Sequence, residues 1–376
     1  WLYWFSWANT VGLELTSAGI LMQRWLPSVP IWIWCLVFGI VIFLINALSV
    51  RSFAEMEFWF SSIKVAAIIL FIVIGGAAVF GLIDFKGGQE TPFLSNFMTD
   101  RGLFPNGVLA VMFTLVMVNF SFQGTELVGI AAGESESPEK TLPKSIRNVI
   151  WRTLFFFVLA MFVLVAILPY KTAGVIESPF VAVLDQIGIP FSADIMNFVI
   201  LTAILSVANS GLYAASRMMW SLSSNQMGPS FLTRLTKQGV PMNALLITLG
   251  ISGCSLLTSV MAAETVYLWC ISISGMVTVV AWMSICASQF FFRRRFLAEG
   301  GNVNDLEFRT PLYPLVPILG FCLYGCVLIS LIFIPDQRIG LYCGVPIIIF
   351  CYAYYHLSIK KRINHEPIEK KQTEAQ

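Results

Sequence analysis

Asn119-Phe120-Ser121-Phe122-Gln123-Gly124-Thr125-Glu126-Leu127-Val128-Gly129 sits in the middle of a run, Gly107–Ala131, that is otherwise apolar enough to span a bilayer. An amide, a carboxylate and two glycines therefore fall at bilayer depth. An ionisable side chain in hydrocarbon costs roughly 2.5–3.5 kcal/mol or more, so it is seldom kept there without a job. Glycines beside it allow the helix to break and turn its backbone groups toward a bound solute. The pattern points to a solute site inside a transporter, in an all-α integral membrane protein.

The rest of the chain fits that setting. It is 57% hydrophobic and only 12% charged, with a mean hydropathy of +0.79. A soluble domain would carry about twice that charge. The eight cysteines lie in or beside apolar runs without a Cys-x-x-Cys pair, and there are only two histidines. Metal sites, disulfides and cofactors are therefore not expected. No signal peptide is visible. The chain opens on Trp1 already inside an apolar segment, which is the expectation for a piece of a longer protein.

At about 20 apolar residues per span, ten segments emerge: Trp1–Met22, Pro30–Val50, Trp59–Leu82, Gly107–Ala131, Ile150–Pro169, Ala193–Met219, Met242–Met261, Thr265–Gln289, Leu312–Ile334 and Ile339–Ile359. Residues 1–359 read as one transmembrane domain and 360–376 as a charged, disordered tail. The loops set the orientation. One side carries Arg51, Lys140, Lys144, Arg147, Arg152, Arg217, Arg234, Lys237, Arg293, Arg294, Arg295, Arg309 and the basic residues from Lys360 onward. The other carries Arg24, Lys86, Arg101, Lys171 and Arg338. The rich side is cytoplasmic by the positive-inside rule, which places the C-terminus inside a multi-pass cell-membrane protein. Of the outer loops, Ser178–Ile187 reads as a short amphipathic piece able to lie across an entrance.

Several polar groups lie at depth. A break at Gly124 would expose helix-end N–H groups, which suit a carboxylate, and carbonyls, which suit an ammonium. An amino acid has both. Ser121, Phe122, Gln123, Gly124, Thr125 and Glu126 would line such a site, with Glu126 either meeting a basic side chain or supporting the break. Ser206, Asn209 and Ser210 in the sixth span either face that site or make interhelical hydrogen bonds. Lys64 lies about one and a half turns from the cytoplasmic edge. It either snorkels to the interface or is a buried amine able to gain and lose a proton. Glu14 stands among small residues and is expected to pair with another span; Glu134, in the loop after the broken span, is placed to act as an inner gate.

The stretch Phe120–Glu134, continuing through Pro138-Glu139-Lys140-Thr141-Leu142-Pro143, resembles bacterial amino-acid permeases of the amino acid–polyamine–organocation superfamily, closest to the arginine/ornithine and lysine permeases. Ile204–Arg217 and Ser61-Ser62-Ile63-Lys64-Val65 carry the same resemblance, which covers nearly all 376 residues. It implies twelve helices as two inverted five-helix repeats plus two, with the ten spans as helices three to twelve. It also implies that Lys64 occupies the place of a proton-carrying lysine. The broken helix has an inverted partner in that family, helix one, and none of the first three spans here shows the matching Gly-rich interruption.

The expected function is import of an amino acid, cationic by the resemblance, by proton symport with alternating access. Its partners would be the amino acid, protons and the lipid bilayer, with no nucleic acid. Relatives that carry neutral or aromatic amino acids share the motif, so that alternative stays open, as does an amino-acid-binding sensor. No nucleophile–His–acid set suggests an enzyme.

Overall fold

Backbone groups in long apolar runs have no water to bond, so they pair within their own segment. The computed structural model is accordingly helical, with no β-strand among the described residues. It describes residues 1–87, 122–131, 137–169, 179–254, 263–333 and 338–360, and scattered positions between 93 and 118. The helices are α1 (Leu2–Met22), α2 (Ile31–Leu48), α3 (Val50–Val79), α4 (Leu127–Ala131), α5 (Pro138–Ile167), α6 (Pro179–Gln186), α7 (Ser192–Ser224), α8 (Met242–Cys254), α9 (Ala263–Ala298), α10 (Leu315–Ser330) and α11 (Arg338–Tyr354).

Six of these are both long and apolar enough to cross a membrane: those over Ile31–Leu48, Arg51–Val79, Pro138–Ile167, Ser192–Ser224, Ile271–Ala298 and Arg338–Leu357. α8 and α10 are shorter apolar helices. α1 has the length, 21 residues, but is diluted by polar side chains that other helices cover. Most of the fourth expected span and the end of the seventh lie outside the described residues, as does the tail from 361 onward.

Two helix starts lie two turns or more before the hydropathy reading. α3 begins at Val50 rather than Trp59, because Ser49 caps it: its Oγ accepts from the Ser52 N–H at 3.0 Å. α5 begins at Pro138 rather than Ile150, with Pro138 at the helix start, where its missing N–H costs nothing. In both, charged turns extend the apolar helix. The first correction brings Glu57 onto the same helix as Lys64.

α1 is the hub. It packs against α7, α9, α2 and α8, and every residue from Ser6 to Leu13 is buried. Several of its buried polar side chains find partners on neighbouring helices, which offsets the cost of burying them in an apolar medium. Trp4 Nε1 donates to Thr248 Oγ1 of α8 at 3.0 Å, and Ser252 Oγ donates to the Ala8 carbonyl at 2.7 Å. Asn9 Nδ2 donates to Ser274 Oγ of α9 at 2.7 Å, and Ser6 Oγ lies 3.2 Å from Thr278 Oγ1. α1 and α7 approach closely: a Cβ on Gly211 would stand 2.7 Å from Trp7 Cε3.

Around this hub the most apolar surface faces outward. α2 exposes Trp32, Leu36, Ile40 and Leu44, and α11 exposes Ile349 and Phe350. In water such a surface would drive association; in a bilayer it meets lipid. A second cluster closes the C-terminal ends of α3 and α5, where Phe71, Val163 and Ile167 pack with Val183 and Leu184 of α6. The Phe71 and Phe180 rings meet edge-on at 4.9 Å. The amphipathic piece expected at Ser178–Ile187 is thus a helix seated on α3 and α5.

Candidate functional site

Residues 122–126 are a run of turns, followed by the single-turn helix α4. Gly124 has φ +95°, a left-handed conformation that a side chain would strain. The Thr125 N–H bonds the Phe122 carbonyl at 3.3 Å and the Leu127 N–H bonds the Gly124 carbonyl at 3.2 Å. These are tight local turns rather than a continuing helix ladder.

Glu126 organises the turn. Its Oε2 accepts the Gly124 N–H at 3.1 Å, and its Oε1 accepts the Tyr3 hydroxyl of α1 at 2.9 Å. One turn along α1 from Tyr3, Trp7 lies between the turn and α7: a Cβ on Gly124 would be 3.7 Å from Trp7 Cη2. Trp7 is 2% exposed, and its Nε1 has no hydrogen-bond partner among the described residues. That is a buried donor beside a cluster of turn backbone. Phe122 and Thr125 are exposed and Gln123 is half-buried, with the Phe122 ring 5.3 Å from that of Phe157 on α5. α4 touches α7.

A second polar group joins α3 to α7. Lys64 Nζ donates to Ser206 Oγ at 2.7 Å, and Ser206 Oγ donates to Glu57 Oε1 at 2.6 Å. Lys64 Nζ and Glu57 Oε1 themselves are 3.9 Å apart, with about a quarter of each side chain exposed (27% and 26%). Ser61 Oγ also points to Glu57 Oε1, at 3.3 Å, while Glu57 Oε2 is buried without a partner among the described residues. The Lys64 amine is thus turned across onto α7 rather than along α3 toward the interface.

The remaining expected residues fall as follows. Asn209 is fully buried, its Oδ1 accepting from Asn46 Nδ2 of α2 at 2.8 Å, which is the interhelical alternative. Ser210 is half-buried on α7. Glu14 is half-buried on α1, and among the described residues it makes no hydrogen bond or ion pair, so the expected pairing with another span is not seen. Ser121 and Glu134 lie outside the described residues. Among the described residues no group of His, Cys, Asp and Glu could hold a metal ion.

Three residues escaped the sequence reading: Tyr3, Trp7 and Glu57. Tyr3 and Trp7 are four apart on one face of α1, a visible pattern, but their meeting with a turn more than a hundred residues away is not written locally. Glu57, Ser61 and Lys64 follow i, i+4, i+7 on one helix face, a signal lost when the span is started at Trp59.

A family model for "Amino acid permease" matches residues 1–368. The chain is 56% identical over 362 residues to the amino-acid permease RocE of Bacillus subtilis (strain 168), covering 96% of this chain and 77% of that protein. A second protein of the same organism, provisionally named a histidine permease, is 56% identical over 355 residues, 94% of this chain and 75% of its own length. The lysine-specific permease LysP of Escherichia coli (strain K12) is 40% identical over 375 residues, 95% of this chain and 76% of that protein. A family match over nearly the whole chain, relatives this similar and helices fit to cross a membrane lead to one conclusion: the chain belongs to the amino acid permease family, whose named relatives here are permeases, not enzymes.

Proposed function

We propose that the protein is a secondary active transporter that brings a cationic amino acid of the arginine, ornithine and lysine class into the cell with protons, by alternating access around the turn at Gly124. The observation that carries this reading is the run of turns at 122–126, with a carboxylate at its end and, beside it, a buried indole donor that has no partner among the described residues. A carboxylate has about four lone-pair positions, and the Tyr3 and Gly124 donors occupy two. Glu126 therefore keeps capacity for an ammonium or guanidinium. The Trp7 N–H, without a partner among the described residues, can turn to a substrate oxygen, and the backbone at 122–126 supplies further polar groups. Glu126 with Gln123, Gly124, Thr125 and Phe122 forms one wall of the site, Ser121 continues it, and Ser206, Asn209 and Ser210 support it from α7.

A relative named as lysine-specific and another provisionally named for histidine both favour a substrate with a basic side chain. The fold that accompanies this reading is the inverted five-plus-five repeat, with the described helices belonging to positions three to twelve of twelve. Its arginine- and lysine-rich side and C-terminus face the cytoplasm, Glu134 lies at the inner mouth, and Glu14 supports the α1 core. Lys64 carries the coupled proton: an amine held between helices rather than in water exchanges its charge as the surroundings open.

The test is uptake into proteoliposomes. With an inward proton gradient, radiolabelled arginine, ornithine or lysine should accumulate, competed by one another and not by leucine or glutamate. Lys64→Ala should abolish accumulation above equilibrium. Uphill uptake by that variant equal to the wild type would overturn proton coupling through Lys64, and accumulation of only neutral amino acids would overturn the substrate class.

A further inference from the structure

We propose that Glu57 is the proton-accepting partner of Lys64, reached through the Ser206 hydroxyl, so that α3 and α7 together form a three-membered proton relay. This role for Glu57 presupposes that Lys64 carries the coupled proton.

The hydrogen bonds run in one direction. Ser206 Oγ accepts from the Lys64 ammonium at 2.7 Å and donates to Glu57 Oε1 at 2.6 Å. The direct Lys64–Glu57 separation, 3.9 Å, is beyond hydrogen-bond length, so the serine is the bridge. The step balances within the three residues. An N–H bond of Lys64 breaks as an O–H bond forms at Ser206, while the original Ser206 O–H bond breaks and a new O–H bond forms at Glu57. Lys64 becomes a neutral amine, Glu57 a neutral acid, and Ser206 is regenerated.

Two features favour that neutral state when water leaves the site. One positive and one negative charge vanish together, which removes the desolvation cost that both ions carry in a poorly polar interior. Glu57 Oε2 is also buried with no donor among the described residues, so ionised it is left under-satisfied. On the α3 face toward its capped start, Glu57 is two turns nearer than Lys64 to Val50 and Arg51, the side that the basic loops assign to the cytoplasm. From Glu57 the proton leaves on that side.

The protein is reconstituted in proteoliposomes and offered a mixture of radiolabelled arginine, ornithine and lysine. Uphill uptake driven by a proton gradient is compared with exchange at equal concentrations, which needs no net proton movement. Glu57→Gln and Ser206→Ala should each lose gradient-driven uptake by about tenfold or more, the scale of a lost proton-transfer group, while exchange persists in Glu57→Gln, whose side chain lies outside the proposed substrate site. Glu57→Asp and Ser206→Thr should restore gradient-driven uptake, the aspartate with a displaced pH profile. Gradient-driven uptake retained in Glu57→Gln but abolished in Lys64→Ala overturns the relay and leaves Lys64 as the carrier. Uptake retained in Lys64→Ala overturns both. Loss of exchange together with uphill uptake in both Glu57 variants makes the carboxylate a structural clamp and likewise overturns the relay.

Discussion

Glu126 receives two donors from different parts of the chain, its own turn and the first turn of α1. Glu126→Gln keeps an oxygen for Tyr3 but replaces the acceptor facing Gly124 with an amide nitrogen, and it removes the charge. Hydrogen bonds to charged groups are worth about 1.5–3 kcal/mol. The apparent KM for a basic amino acid should therefore rise about tenfold or more, with exchange of that substrate weakened in parallel. Tyr3→Phe, which deletes one donor to the carboxylate and keeps its charge, should raise it less than Glu126→Gln does, because the charge that meets the substrate remains. Uptake kinetics on reconstituted protein measure both. If Glu126→Gln leaves KM unchanged but lowers the yield of monodisperse protein, Glu126 serves the turn and not the substrate. The turn was legible in the sequence because glycine and a carboxylate are conspicuous among apolar residues. Tyr3 was not, because an aromatic with a hydroxyl looks ordinary in a membrane helix until its partner, 123 residues away, is in place.

At the level of helices, the apolar runs located the six described helices long and apolar enough to cross a membrane, because crossing hydrocarbon requires only length and composition. Their ends were misplaced where charged turns continue the helix: Arg51 and Glu55 pair i,i+4 at 2.9 Å within α3, and Glu139 lies in the first turn of α5. Hydropathy scores such turns as loop, whereas backbone hydrogen bonds are indifferent to the side chain's charge. Which faces meet was also hidden, and small residues decide it. A methyl added at Gly211 would lie 2.7 Å from Trp7 Cε3 and 3.0 Å from Val11 Cγ2, whereas one at Gly250 on α8 meets nothing within 4 Å. Overpacking costs about 1–3 kcal/mol, while alanine gains up to about 1 kcal/mol over glycine in a helix. Gly211→Ala should therefore lower the thermal midpoint of the detergent-solubilised protein, and Gly250→Ala should leave it unchanged or raise it. Equal midpoints for the two variants would mean that α1 and α7 do not pack this closely. Asn46→Leu should also lower the midpoint, because Asn209 is fully buried and loses its 2.8 Å donor.

For the whole molecule, the asymmetry of its basic residues outweighs any single contact. Lys86 and Lys237 are both exposed, the first between α3 and the fourth span, the second between α7 and α8. Lys86 pairs with Asp185 at 3.6 Å, tying its loop to α6, while Lys237 follows the short 3-10 turn Ser230–Thr233 after α7. The proton route proposed for Glu57 works only if the start of α3 faces the cytoplasm, so orientation is tested together with mechanism. In a cysteine-free background, a membrane-impermeant maleimide should label Lys86→Cys on intact cells. It should label Lys237→Cys only after permeabilisation, because moving basic loops across the membrane is what the positive-inside bias opposes. The reverse pattern would place Glu57 on the outer side of Lys64. The relay would then accept protons from outside and deliver them to the lysine, and the direction of coupled flux would have to be reassigned with it.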